Sequence, residues 1–167
     1  MTQAMDDRQI RLDRMRYIKN TSSSRLCYLA ILLDVLYFIS IYKSDVGSWY
    51  YQILVGGSIV YNLLFMLMTF LASEGVKSYQ ASYSRLLYVL GVLQAIRIFI
   101  LPLQAHAAFV VVGGTETAVM GNAQFIRVVI YLAGSAMCLV AAAVINQRKC
   151  RALNSHLASL ENGKEAA

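Results

Sequence analysis

Residues 26–42 read LCYLAILLDVLYFISIY, an unbroken apolar run with one charged side chain, Asp34. A helix of this length and character suits a hydrocarbon core about 30 Å thick rather than an aqueous protein core. Three comparable runs follow: Trp49–Ala72, then Leu86–Leu101, closed by Pro102, the only proline, and about Gln124–Asn146. With 58% of 167 residues hydrophobic, little chain remains for a soluble domain. The expected fold is therefore all-α, an integral membrane four-transmembrane-helix bundle over 26–146. A cytoplasmic amphipathic arm at 1–25 precedes it, and a basic cytoplasmic helix at 147–167 follows it.

Charge sets the expected orientation. Of 15 Lys and Arg residues, twelve lie in the arm, in the polar 73–85 loop and in the tail, whereas Lys43 stands alone in the other two loops. Such asymmetry places both termini on the cytoplasmic side, and the plasma membrane is the expected location. The same clustering beside apolar runs directs the net charge of +6 toward anionic lipid headgroups rather than nucleic acid. Tyr42, Trp49, Tyr50 and Tyr51 would form an outer aromatic belt, with Tyr28, Tyr79, Tyr83 and Tyr88 as the inner one. Ile10, Met15 and Ile18 give the arm a weak apolar face for the headgroup layer. The long polar lead and the lack of a small-residue cleavage site argue against a cleavable signal peptide. In this orientation the Asn20-Thr21-Ser22 sequon would not be used.

Residues 102–123 are too apolar for an ordinary loop. Phe109–Val112, Gly113-Gly114 and Thr115–Thr117 resemble a small hairpin with a Gly-Gly turn. A continuation of the third helix or a re-entrant segment is also compatible, and an ordered external cap is preferred.

A short motif repeats. Ser22-Ser23-Ser24-Arg25-Leu26-Cys27-Tyr28 matches Ser82-Tyr83-Ser84-Arg85-Leu86-Leu87-Tyr88 at five of seven positions. Ser24, Arg25 and Tyr28 thus correspond to Ser84, Arg85 and Tyr88, and Asp34 corresponds to Gln94 at the same offset. Two helical hairpins in parallel orientation would produce this pattern. So would the common needs of any span opening at the cytoplasmic face, where Arg snorkels and Tyr anchors.

Polar residues inside the spans are the candidate site. Counted from the cytoplasmic ends of their spans, Asp34, Asn62 and Arg97 lie about 12, 15 and 16 Å deep at 1.5 Å per residue. Gln94 sits one turn from Arg97. The four should form one midplane layer, with Asp34 paired to Arg97 and with Gln94 and Asn62 completing the hydrogen bonds, because neither charge would be left in lipid. A structural pair is preferred here to an ion or proton path, since a satisfied neutral pair is a poor starting point for transport. Small residues at Gly91 and Ala95, and at Gly134, Cys138 and Ala142, form helix-packing seams.

Catalytic chemistry has no visible basis. Cys27, Cys138 and Cys150 are too scattered for a metal or disulfide framework, and His106 and His156 fall on opposite sides of the membrane. No catalytic, cofactor-binding or metal-binding motif occurs. The expected function is a non-catalytic membrane subunit or scaffold, associating with itself or with a membrane protein partner. The alternative is a small transporter or channel using the layer around Asp34 and Arg97.

Overall fold

The computed structural model describes residues 19–41, 49–112, 115–118 and 120–165. Residues 1–18 of the expected amphipathic arm, the loop containing Lys43 and Asp45, and the Gly113-Gly114 turn lie outside the described residues, as do Tyr42 and the side chains of Trp49, Tyr50 and Tyr51; the arm's last residues, from Thr21, belong to the first long helix. The chain runs α1 (Thr21–Ile41), α2 (Trp49–Lys77), α3 (Ser82–Ile100), α4 (Pro102–Ala107), β1 (Phe109–Val112), β2 (Thr115–Ala118) and α5 (Asn122–Glu165). Helices α1, α2, α3 and α5 are long and apolar enough to cross a membrane, and they pack as one bundle.

Each helix outruns the apolar stretch that announces it. Helix α1 starts at Thr21, not Leu26, because Asn20 caps it: Asn20 Oδ1 accepts from Ser23 N at 3.5 Å. Helix α2 continues through the polar Ser73–Lys77 segment before a turn at Ser78–Tyr79, where Tyr79 adopts φ 56°. Helix α5 spans 44 residues without a break, about 66 Å at 1.5 Å per residue, so span and basic tail are one element. Intrahelical hydrogen bonding does not stop at the hydrocarbon boundary, so polarity marks the boundary but not the helix end.

Pro102 ends α3 and opens α4, standing at the first helical turn where its missing N–H costs nothing. Strands β1 and β2 pair antiparallel, with Phe109 opposite Ala118 and Val112 opposite Thr115. This segment is a short helix followed by two paired strands. His106 ties it to the bundle, its Nδ1 donating to Met120 O at 3.2 Å and its ring stacking on Phe125 at 4.4 Å.

Packing is uneven around the bundle. Helix α5 lies along both α1 and α3, and α2 lies along α1 but touches α3 only sparingly. Helices α1 and α3 face one another across the centre and meet through side chains. An apolar core of Cys27, Ala30, Phe65, Leu87, Leu90 and Leu139 fills the half near the 78–81 turn. A smaller cluster of Tyr37, Val128 and Leu132 fills the other half.

Candidate functional site

The polar layer sits between these two apolar clusters. Asp34 on α1 is buried, and both its donors come from α3: Gln94 Nε2 at 2.7 Å and Arg97 Nη1 at 3.3 Å. Both donors reach the same oxygen, Oδ1. The other, Oδ2, is buried and accepts no hydrogen bond from any described residue. Arg97 Nη2 donates to Ser58 Oγ on α2 at 2.9 Å. Its guanidinium lies over the rings of Tyr37 at 4.4 Å and Tyr61 at 4.7 Å. Two aromatic faces and two oxygen partners hold this cation in an otherwise apolar setting.

Asn62 shares the burial of the layer but not its bonding. Its exposure is 0%, yet neither Oδ1 nor Nδ2 meets a hydrogen-bond partner among the described residues. Ser58, absent from the sequence-level expectation, takes the position on Arg97 expected of an amide. Helix spacing explains the exchange, because Ser58 and Asn62 stand one turn apart on one face and the shorter hydroxyl lies beside the guanidinium.

The same face of α2 continues with Thr69 and Ser73, both buried. Four polar side chains thus form a stripe about 22 Å long at 1.5 Å per residue, interrupted by Phe65. The Thr69 hydroxyl, like Asn62, has no partner among the described residues. Ser73 Oγ shares a hydrogen bond with Ser24 Oγ at 2.7 Å.

Beyond Ser73 a second buried polar cluster closes the end of the bundle near the 78–81 turn. Asn20 Nδ2 donates to Asn146 Oδ1 at 3.0 Å and to Ser23 Oγ at 2.9 Å. Asn146 Nδ2 donates to Ser84 Oγ at 2.8 Å and to Gln80 O at 3.2 Å. Lys149 Nζ donates to Asn20 Oδ1 at 3.0 Å, and Asn20 N donates to Lys77 O at 3.2 Å. Every polar atom of the two asparagine side chains is used. In the sequence Asn20 stood out only as part of a sequon and Asn146 only as the end of the fourth run, since single asparagines at span boundaries carry no pattern; the N-cap position of Asn20 was the available signal for this cluster.

The repeated motif acquires a structural meaning at this end. Ser24 bonds Ser73 while Tyr28 Oη donates to Glu74 Oε1 at 2.9 Å. In the second copy Ser84 bonds Asn146 while Tyr88 Oη donates to Gln147 Oε1 at 3.4 Å. Each opening helix therefore grips two consecutive residues of its hairpin partner, α2 in one case and α5 in the other. Arg25 and Arg85 are both exposed.

The small-residue seams are used inside the chain. A Cβ on Gly91 would stand 3.0 Å from Val140 Cγ2 and 3.4 Å from Ala136 O, so Gly91 lets α3 approach α5. A Cβ on Gly134 would meet Leu33 Cδ1 at 3.2 Å, at the α1–α5 contact. Ala142 is fully buried, and Ala95 and Cys138 are half-buried. Cys27, Cys138 and Cys150 are free thiols. Among the described residues no three acidic, His or Cys side chains gather as a metal site. No family model matches the chain, and no match is found among curated proteins or solved structures.

Proposed function

We propose that this chain is a small transporter or channel whose path is the buried polar stripe of α2, joined to the layer around Asp34 and Arg97. The observation that carries this reading is the set of buried polar atoms with no partner among the described residues: Asp34 Oδ2, Gln94 Oε1, both ends of Asn62 and the Thr69 hydroxyl. A layer that only fixed helix packing would satisfy its members, because an unsatisfied buried amide or hydroxyl costs about 1–3 kcal/mol. Placed in a row inside a membrane bundle, such groups instead suit water or a small polar species moving between them. Phe65 stands as an apolar constriction between Asn62 and Thr69. Arg97, neutralised by Asp34, sets the far limit of the row. The cytoplasmic placement of both termini belongs to the same proposal and rests on the basic-residue count.

The test is flux in proteoliposomes, with a trapped pH dye for protons and light scattering for small polar osmolytes. Purified protein is expected to raise the rate of one of these over empty liposomes, and Asn62→Leu to remove most of the gain. No gain with protons, alkali cations or small osmolytes would overturn the reading.

A second reading, a non-catalytic membrane subunit, is supported by one separate feature. A shallow groove of about 410 Å³ runs between α3 and α5, lined by Gly91, Val92, Ala95, Ala136, Met137, Val140 and Ala141. Met137 in it is 67% exposed. A partner helix or a second copy could lie there, and co-purification or a defined oligomer would favour it.

A further inference from the structure

Helices α2 and α3 are joined by the tight turn at 78–81 but barely touch beyond it, and a cleft opens between them at the end away from that turn. Its volume is about 400 Å³. Ile53, Gly57, Leu93, Ile96 and Ile100 make apolar walls, and among the described residues Ser58, Tyr61 and Arg97 supply the only polar side chains lining it. Ile53, Leu93, Ile96 and Ile100 are also exposed on the outside of the bundle, so the mouth faces lipid.

Each of the three polar groups can donate a hydrogen bond. Ser58 Oγ accepts from Arg97 and keeps its own proton for another acceptor. The buried Tyr61 hydroxyl has no hydrogen-bond partner among the described residues. Arg97 has donors only. Donors therefore gather at one spot in an otherwise apolar cleft. Its charge is already balanced, because Arg97 is paired with Asp34. An anionic headgroup would lose its hydration without gaining an unpaired cation.

We propose that this cleft binds a single-chain amphiphile entering sideways from the bilayer. Its apolar chain lies between α2 and α3, and its head is an uncharged hydrogen-bond acceptor, such as a ketone, ester or quinone oxygen, held by Ser58 and Tyr61 beside Arg97. Gly57 makes room for it, since a Cβ there would meet nothing within 4 Å. Binding here does not require the α2 stripe to conduct, so the two proposals fail separately.

The test uses the full chain in lipid nanodiscs and three photoactivatable probes of equal chain length: a methyl ketone, a carboxylic acid and a plain alkane. The ketone should label saturably, with crosslinks on residues 53, 93, 96 and 100. Gly57→Leu, and Ile100→Trp from the opposite wall, should each abolish saturable labelling while leaving the melting temperature near that of the parent. Ser58→Ala and Tyr61→Phe should each reduce the ketone-over-alkane preference by about three- to tenfold, the value of one hydrogen bond. Equal labelling by ketone and alkane would overturn the proposal. So would tighter labelling by the acid, or crosslinks spread over lipid-facing positions such as Leu63 and Ile130.

Discussion

Asp34 and Gln94 occupy the same offset in the two copies of the repeated motif, and their side chains hydrogen-bond one another at 2.7 Å across the bundle centre. Tyr37 and Arg97, also sixty residues apart, meet one turn further on, with the guanidinium 4.4 Å from the ring centroid. Corresponding positions on α1 and α3 thus face each other. The bundle centre is built from this cross-facing pair of helices, while α2 and α5 occupy the flanks. The flanks differ, because α5 closes against both central helices and α2 closes against only one. The cleft lies where a symmetric bundle would have its fourth contact.

The Asp34–Arg97 pair is expected to behave as a coupled unit. Removing one member leaves the other buried, a loss of about 3–5 kcal/mol in fully buried cases. Asp34→Asn and Arg97→Gln should each lower the melting temperature in detergent, and the double variant should lose less than the sum. Additive losses would mean that the pair contributes no coupling. The cation–π contacts to Tyr37 and Tyr61 should make Arg97→Gln the more damaging of the two single changes.

Asn62 should show the opposite sign. An amide buried with no partner is a liability to folding, so Asn62→Leu, which keeps the branching and removes the polar atoms, should raise stability by about 1–2 kcal/mol. The same change should reduce flux in proteoliposomes if the stripe is a path. A variant that is destabilised would show that Asn62 has partners that hold the fold together.

At the opposite pole stands Asn146, whose side chain links α1, α3 and the 78–81 turn. Asn146→Ala should cost about 1–3 kcal/mol by orphaning its neighbours. Asn20→Ala should lose a helix cap worth about 1 kcal/mol as well as the contact to Asn146. Thermal melts of the single and double variants measure both, and the double should fall short of additivity.

Gly75 is held by a close approach. A Cβ there would stand 2.2 Å from Tyr83 Cδ2, against a ring that packs on the apolar core. Gly75→Ala should therefore destabilise by about 1–3 kcal/mol, the usual cost of overpacking. Tyr83→Ala in the same chain should restore part of it. If Gly75→Ala melts at the parent temperature, the ring is free to move aside.

Orientation is open to cysteine accessibility. In a background lacking Cys27, Cys138 and Cys150, Asp45→Cys should react with an impermeant reagent from outside and Leu160→Cys should not. The reverse pattern would invert the topology. Cys27 is fully buried between helices, so alanine rather than a larger residue should replace it in that background.

Four spans were legible in the chain alone because membrane insertion is decided locally. Each run of apolar residues meets the thickness of the bilayer on its own terms, whatever the other helices do. The same holds for the ranking of Asp34 and Arg97, since the cost of leaving a charge in lipid depends on depth, and depth can be counted along a helix. Where the helices end was not legible. Asn20 starts α1 through a cap and α2 runs on through the polar Ser73–Lys77 segment, and neither event leaves a mark in hydropathy, whereas the helical basic tail was expected. Tertiary structure alone decided which side chains meet. Ser58 rather than Asn62 reached Arg97, both Asp34 donors chose one oxygen, and Asn146 found Asn20 across 126 residues of sequence. Those outcomes depend on the rotation of each helix about its own axis and on how far α2 stands from α3. Rotation and separation are set by packing between helices, and no single span contains that information.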